Sequence, residues 1–169
     1  MRLRIHPASP FARKVLAAVR VRGDDLEVLD QPLTRDVRAG VESGILLESP
    51  EGAYAGSASI LERLEAQRAV LVPPAFDPVG WDLDRLLDEH LLEAVVTLHG
   101  APDTQAAEAA RTTAERTLRL LDARLRTSRW LLGGRLTLPD LTAIIGAADL
   151  RGLGVALPAT VEALVRRGR

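Results

Sequence analysis

Two serines at predicted helix starts have the type and position needed for chemistry. Ser9 precedes Pro10, and a serine followed by proline is typical of a helix N-terminus with the serine as N-cap. Ser57 lies in a second such segment, close to Ser59. A helix N-terminus can bind an anion through its N–H groups, whereas a capping serine only stabilises the helix, by about 1 kcal/mol. The residues alone leave both interpretations open for Ser9 and Ser57.

One predicted helix carries an acidic cluster with a single histidine, the chain's best arrangement for a metal ion. The cluster consists of Asp82, Asp84, Asp88, Glu89, His90 and Glu93. His90 has no second histidine one turn away, since His99 is nine residues further on, so we expect a solvated helix face and no metal. The absence of cysteine also excludes thiolate zinc sites, disulfides and a cysteine nucleophile.

Charge and hydropathy argue against two classes of partner. The 169 residues include 22 basic and 23 acidic side chains, a net charge of −1, so the bulk attraction that drives nucleic-acid binding is missing. No run approaches the roughly 18 to 20 apolar residues of a membrane-spanning helix, and no secretory signal is visible. We therefore expect a cytoplasmic protein with no nucleic-acid and no membrane partner.

The chain changes character at two adjacent prolines, Pro73 and Pro74, which disfavour helix continuation and indicate a linker. Upstream, short apolar runs alternate with helical patterns, and downstream nearly every segment has helical periodicity. We predict one domain over residues 1–70, a linker over 71–76 and a second domain over 77–169.

The first domain is predicted to follow the order β-α-β, a short irregular piece, and then β-β-α. Its predicted strands are Leu3–Ile5, Leu26–Leu29, Ile45–Leu47 and Ala53–Ala55. One helix begins after Ser9 and stops at Gly23, where a left-handed residue is useful. A second helix begins at Ser57 or at Ser59, and Ser59 offers a capping box with Glu62.

Apolar residues at helical spacing predict four helices in the second domain. The first is one uninterrupted helix over residues 79–98, and the second covers 107–125. The third begins at Thr137, which can cap it while Asp140 reaches back, and the last covers 159–167.

Three segments carry a resemblance that covers nearly the whole chain. Residues 9–15, Ser-Pro-Phe-Ala-Arg-Lys-Val, look like a strand-to-helix turn, and residues 52–61, with Ser57 three positions before Ile60, look like an acidic-Ser-x-x-Ile helix start. Residues 130–141 look like a buried helix cap, a glycine followed shortly by Ser/Thr-x-x-Asp. In this order the chain resembles the cytosolic glutathione transferases of the serine type.

The resemblance implies an α/β thioredoxin-like N-terminal domain followed by an all-α helical C-terminal domain, in a homodimer. It also implies glutathione as co-substrate and an electrophilic small molecule as its partner. In such proteins the hydroxyl at the position of Ser9 donates a hydrogen bond to the glutathione sulfur. The physical reason is that a thiol with a pKa near ~8.5 is mostly protonated at neutral pH, and a donor at a helix N-terminus stabilises the reactive thiolate.

The resemblance further implies a set of residues that bind the co-substrate. Ser57 and Ala58 correspond to the helix start that captures the γ-glutamyl carboxylate. Arg13 can add positive potential one turn after the catalytic serine, and Phe11 belongs to the same turn. Leu46 or Leu47 falls where the family holds the cysteinyl part of glutathione.

His6, at the end of the first strand, is a further candidate because a titratable group there can assist thiol deprotonation. A lone histidine more often serves structure, and the residues do not decide between these two roles.

Two departures from the family pattern keep an alternative open. The cis-proline that precedes the third strand is absent, since the equivalent stretch is residues 44–47 with Leu46 or Leu47 at its position, and a non-proline cis bond would cost ~3 kcal/mol. We therefore expect a trans bond there. Gly56 replaces the acidic residue before the glutathione-binding serine. The alternative is a non-catalytic binding or interaction module that keeps the fold after its glutathione site has decayed.

Overall fold

The computed structural model describes residues 1–30, 44–102 and 104–168. They divide into two compact units, Met1–Leu71 and Val72–Arg169. The predicted piece between the second and third strands lies outside the described residues. The first unit is α/β and the second is helical, as the sequence predicted.

The first unit contains a four-stranded mixed sheet with strand order β2-β1-β3-β4 in the part of the chain that the structure describes. The strands are β1 Arg2–Ile5, β2 Glu27–Asp30, β3 Ile45–Ser49 and β4 Gly52–Ala55. Strand β1 pairs in parallel with β2, whereas the pairs β1–β3 and β3–β4 are antiparallel. The helices are α1 Pro10–Arg22, which follows β1, and α2 Ser57–Gln67, which follows β4. This arrangement is thioredoxin-like and agrees with the predicted order.

Helix α1 forms as its sequence predicts. Ser9 is its N-cap with extended backbone, Pro10 occupies the first turn, and Gly23 ends it at φ 68°, a conformation that favours glycine. Phe11 and Val15 are 5% and 0% exposed, so this face packs into the core of the unit. The burial of aliphatic and aromatic surface, rather than helix propensity, supplies most of the helix's stability.

A buried ion network connects the C-terminal ends of α1 and α2. The Arg22 side chain is 1% exposed and pairs with Glu65, whose side chain is 5% exposed. The Arg22 guanidinium also donates to the Leu64 and Arg68 carbonyls, each at 2.7 Å. Glu65 in turn accepts the Val70 N–H at 2.8 Å and the Leu71 N–H at 2.9 Å.

Asp24 and Arg68 complete this network at its exposed side. Asp24 Oδ2 accepts from Arg22 Nε at 2.5 Å, and Asp24 Oδ1 accepts from Arg68 at 3.0 Å. The guanidinium of Arg22 is therefore surrounded by acceptors, the condition under which a buried charge is tolerated.

The second unit consists of helices around an aliphatic core. After a 3₁₀ turn, Pro74–Phe76, they are α3 Val79–Leu87, a π-helical turn Asp88–Leu92, α4 Glu93–Gly100, α5 Gln105–Leu125, α6 Leu138–Gly152 and α7 Ala159–Arg167. Residues from all of these helices line one buried cluster, which includes Leu91, Leu118, Leu150 and Leu164. None of the helices among the described residues is long and apolar enough to cross a membrane.

The predicted uninterrupted α-helix over 79–98 is wrong in its middle, where the π-helical turn Asp88–Leu92 separates α3 from α4. Leu91 and Leu92 in this turn are fully buried and lie against Gly146 of α6. A Cβ atom at Gly146 would come within 2.9 Å of Leu91 Cβ, so only glycine permits this approach. A π-helical turn contains more residues per turn than an α-helix, and the spacing of apolar residues does not reveal this. The sequence therefore predicted one continuous α-helix.

The predicted cap of α6 is confirmed. Asp140 Oδ2 accepts the Thr137 N–H at 2.8 Å and the Thr137 hydroxyl at 2.6 Å, and Asp140 Oδ1 accepts the Leu131 N–H at 2.7 Å. Burial raises the pKa of the Asp140 carboxyl above its ordinary value, and the hydrogen bonds from Thr137 and Leu131 offset part of this rise. The cap thus ties the preceding loop to the start of the central helix.

The predicted solvated face of the acidic cluster is wrong at Asp84. This residue is 3% exposed, and its carboxylate accepts a hydrogen bond from the Thr142 hydroxyl of α6. Asp82 and Glu89 are exposed, as predicted. Among the described residues no group of three or more acids and histidines has the arrangement of a metal site.

We predict that Arg22→Met lowers the free energy of unfolding by about 3 kcal/mol or more, because it removes the guanidinium that pairs with the buried Glu65 carboxylate. The control is Arg2→Met, since Arg2 pairs with Glu27 while both side chains are more than half exposed, 59% and 57%. That change should cost less than about 1 kcal/mol. Urea denaturation of both variants measures the difference, and equal losses would contradict the structural role of the network.

Candidate functional site

The strand register brings three predicted site residues to one edge of the sheet. Ile5, at the end of β1, pairs with Ile45 at the start of β3, and Leu46 pairs with Ala55 at the end of β4. The segments that lead to α1 and α2 therefore leave the sheet at the same edge. Two strand spacings separate β1 from β4, about 10 Å. Ser9 and Ser57 begin helices beside this edge, and we call it the serine edge.

Ser9 acts as the cap of α1, and its hydroxyl keeps a hydrogen atom to donate. Ser9 Oγ accepts the Ala12 N–H at 3.3 Å, which uses one of its lone pairs. Within the described residues the hydroxyl hydrogen has no acceptor in the protein. A serine hydroxyl has one donor and two acceptor sites, so capping and donation to a ligand are compatible. The two interpretations left open by the sequence are therefore not exclusive.

His6 lies in the turn that leads from β1 to Ser9. The His6 carbonyl accepts the Ser9 N–H at 3.0 Å, and the His6 N–H donates to the Gly44 carbonyl at 2.7 Å. Its Nδ1 atom is buried and has no hydrogen-bond partner in the described part of the chain. The turn thus connects the residue before β3 with the start of α1.

Helix α2 begins at Ser57, and Gly56 is its N-cap. The predicted alternative, a capping box at Ser59, is wrong, because the Ser59 hydroxyl donates backwards to the carbonyls of Ala55 and Gly56. Ser57 is fully buried and Ala58 is exposed. Gly56 offers no side chain to the first turn of α2, and the first N–H groups of any helix have no partner within the helix.

The replacement of the family's acidic residue by Gly56 has a backbone explanation. Gly56 has φ 84° and ψ 149°, a combination that is essentially restricted to glycine. Sequence reasoning treated this residue as the loss of a charge. The structure shows that this position also requires a backbone conformation that favours glycine. A single glycine before a serine in the sequence does not reveal this requirement.

The other predicted residues have different surroundings. Phe11 is buried in the core of the first unit, whereas Arg13 is only partly buried one turn after Ser9. Leu46 lies within β3 and is partly exposed. The one cis peptide bond among the described residues joins Asp77 to Pro78, so the expected trans bond at Leu46 is confirmed.

Sequence reasoning missed the burial of Lys14. This residue, in the second turn of α1, is 0% exposed. It is also the chain's sole lysine, all other basic residues being arginine. Neither Lys14 nor its neighbours Arg13 and Val15 indicate this burial, because a charged residue in an amphipathic helix is expected on the solvent side.

Solved structures with the same fold cover nearly all of the chain. A glutathione S-transferase domain-containing protein from Marinobacter aquaeolei superposes with a TM-score of 0.80 at 22% identity, over 98% of this chain and 94% of that one. Gtt2 from Saccharomyces cerevisiae gives a TM-score of 0.80 at 21% identity, over 98% and 93% of the two chains. The described units therefore have the glutathione transferase fold.

One sequence comparison agrees with this fold. Residues 104–145 match the family model of the glutathione S-transferase C-terminal domain. A glutathione S-transferase from Methylobacterium radiotolerans, solved in complex with glutathione sulfonate, is 26% identical with a TM-score of 0.75, over 98% of this chain and 88% of that one. No curated protein matches the chain. The sequence match in the second unit and the fold of both units thus agree with each other.

We predict that Gly56→Ala lowers the free energy of unfolding by about 1 to 3 kcal/mol, because alanine must adopt the strained backbone conformation of Gly56. Gly100→Ala at the end of α4 is the control, since Gly100 has open space around its Cβ position and no strained φ. This control should leave stability unchanged or raise it by about 0.4 to 1 kcal/mol. Thermal unfolding of both variants tests the difference, and an equally stable Gly56→Ala protein would show that the strain is absent.

Proposed function

We propose that this protein is a glutathione-dependent transferase that joins the glutathione sulfur to an electrophilic small molecule. The observation that supports the proposal is the hydrogen bonding of the Ser9 hydroxyl. Its oxygen accepts the Ala12 N–H, and its hydrogen remains available to a ligand at the serine edge. The glutathione transferase fold and the complex of the Methylobacterium radiotolerans protein with glutathione sulfonate support the choice of co-substrate.

The chemistry requires that the thiol lose its proton. A free thiol has a pKa near ~8.5, so only a small fraction is thiolate at neutral pH. Ser9 donates a hydrogen bond to the sulfur, and the N-terminus of the 13-residue helix α1 adds partial positive charge. Both interactions favour the thiolate over the thiol. Arg13, one turn further along, adds to the same potential.

The start of α2 serves to hold the co-substrate. The exposed Ala58 contributes its N–H group in the first turn of α2, where a carboxylate is stabilised by N–H donors and by the helix dipole, whereas Ser57 is fully buried at the start of this turn. A carboxylate bound here fixes the peptide while its thiol lies near Ser9. The separation of about 10 Å between the ends of β1 and β4 suits a tripeptide that extends from one serine to the other.

In the proposed reaction the thiolate attacks an electrophilic carbon. The carbon–sulfur bond forms, the leaving group departs with the bonding electron pair, and the thiol proton goes to solvent. Positioning the sulfur and the carbon together supplies the rest of the rate increase. Such conjugation would detoxify electrophiles in the cytoplasm.

We predict that Ser9→Gly lowers kcat/KM for conjugation about 100-fold, because it removes the donor to the thiolate. Glycine costs only a few tenths of a kcal/mol as an N-cap, so the helix remains. Ser9→Thr retains both the cap and the hydroxyl and should recover most of the rate. Ser59→Ala is the matched control, since the Ser59 hydroxyl is bonded to the Ala55 carbonyl.

Calorimetric titration with glutathione separates the proposal from its alternative. Binding in the micromolar to low-millimolar range supports the transferase. A protein that releases no heat and shows no thermal shift with glutathione is instead the non-catalytic module. If glutathione binds and Ser9→Gly conjugates at the rate of the unchanged protein, the role of Ser9 is wrong.

We also propose that the protein is a homodimer, as its resemblance to the glutathione transferases implies. Sedimentation at micromolar concentration should give a mass of roughly twice the chain mass of 18.2 kDa. A species at the chain mass over the same concentration range would contradict the proposal.

A further inference from the structure

The turn that ends in Ser9 brings a second polar side chain to the serine edge. The hydrogen bond from the Ser9 N–H to the His6 carbonyl, at 3.0 Å, closes a four-residue reverse turn. In such a turn the first and last Cα atoms lie within about 7 Å of each other. The side chains of His6 and Ser9 therefore start close enough to reach one ligand atom between them.

The two ring nitrogens of His6 differ in their surroundings. Nδ1 is buried and has no hydrogen-bond partner among the described residues. The residue as a whole is partly exposed. Nε2 forms no hydrogen bond within the described chain, and it is not a buried atom.

This difference determines where the ring carries its hydrogen. A neutral imidazole has one N–H donor and one bare acceptor nitrogen. Buried N–H groups without an acceptor are rarer in proteins than buried acceptors without a donor. In the neutral ring we therefore place the hydrogen on Nε2, which is not buried, and leave Nδ1 bare.

We propose that His6, through Nε2–H, is a second hydrogen-bond donor to the sulfur that Ser9 contacts. The inference rests on the proposed function, because it needs a thiolate at the serine edge. Two donors that converge on one anion stabilise it together. The thiol proton goes to solvent.

Three substitutions at one position separate donation from size and from base catalysis. His6→Leu has similar bulk and no donor. His6→Gln carries an amide N–H close to the position of Nε2, whereas His6→Asn carries it near the position of Nδ1. His99→Leu is the control, since His99 is an exposed histidine near the end of α4.

The test measures the ultraviolet absorbance of the glutathione thiolate in the complex at neutral pH, together with kcat/KM. We expect His6→Leu and His6→Asn to lose most of the thiolate signal and to lower kcat/KM about 100-fold, the effect of removing one donor to a developing anion. His6→Gln should recover most of both. S-methylglutathione, which has no ionisable thiol, should bind all variants with unchanged affinity, and thermal unfolding verifies that each is folded.

Two results would overturn the proposal. One is a His6→Leu protein with the full thiolate signal. The other is a His6→Gln protein as impaired as His6→Leu, because the ring would then act as a base or by packing. Failure of the proposed function gives a different result, because the unchanged protein then binds neither glutathione nor S-methylglutathione. In that case this inference is wrong as well.

Discussion

The buried pair of Arg22 and Glu65 is the interaction on which the arrangement of the first unit depends. A guanidinium taken out of water is tolerated only when acceptors surround it, and here they come from Asp24 just after α1, from α2 and from Arg68 just after α2. This requirement fixes the C-terminal ends of the two helices together. The N-terminal ends of the same helices lie beside the edge where β1 and β4 end. The ion network thus holds the two site helices together at the ends opposite to the candidate site.

At the serine edge, the residues that build the fold are also the residues available for chemistry. Ser9 satisfies a helix N–H with a lone pair and still has its hydrogen. Gly56 permits a backbone conformation that other residues resist, and the helix that follows it has an N-terminus without a side-chain cap. His6 closes a turn with its carbonyl while its ring remains without a hydrogen bond in the described chain. Under the proposed function, a thiol peptide is bound here with few residues dedicated to binding alone.

Local sequence signals predicted much of this fold, and contacts between distant residues account for what they missed. The cap at Ser9, the stop at Gly23 and the cap at Asp140 depend on neighbours a few positions away, so their residue types reveal them. The pair of Arg22 and Glu65 joins positions 43 residues apart, and no periodicity links them. Asp84 was misjudged for the same reason, since the hydroxyl that it accepts from belongs to a helix 58 residues later. At the candidate site, the positions of the serines could be predicted from resemblance. The backbone conformation of Gly56 and the lack of a hydrogen bond at the His6 ring could not, because both depend on the folded structure.

The burial of Lys14 has a consequence for how the protein withstands the compounds proposed as its substrates. Soft electrophiles react with thiolates and with unprotonated amines. This chain contains no cysteine, and its sole lysine is 0% exposed. Its positive surface charge is carried by arginine, whose guanidinium stays protonated and is a poor nucleophile. Under the proposed activity, the bound thiol therefore meets electrophiles without competition from a cysteine or from an exposed lysine of the protein.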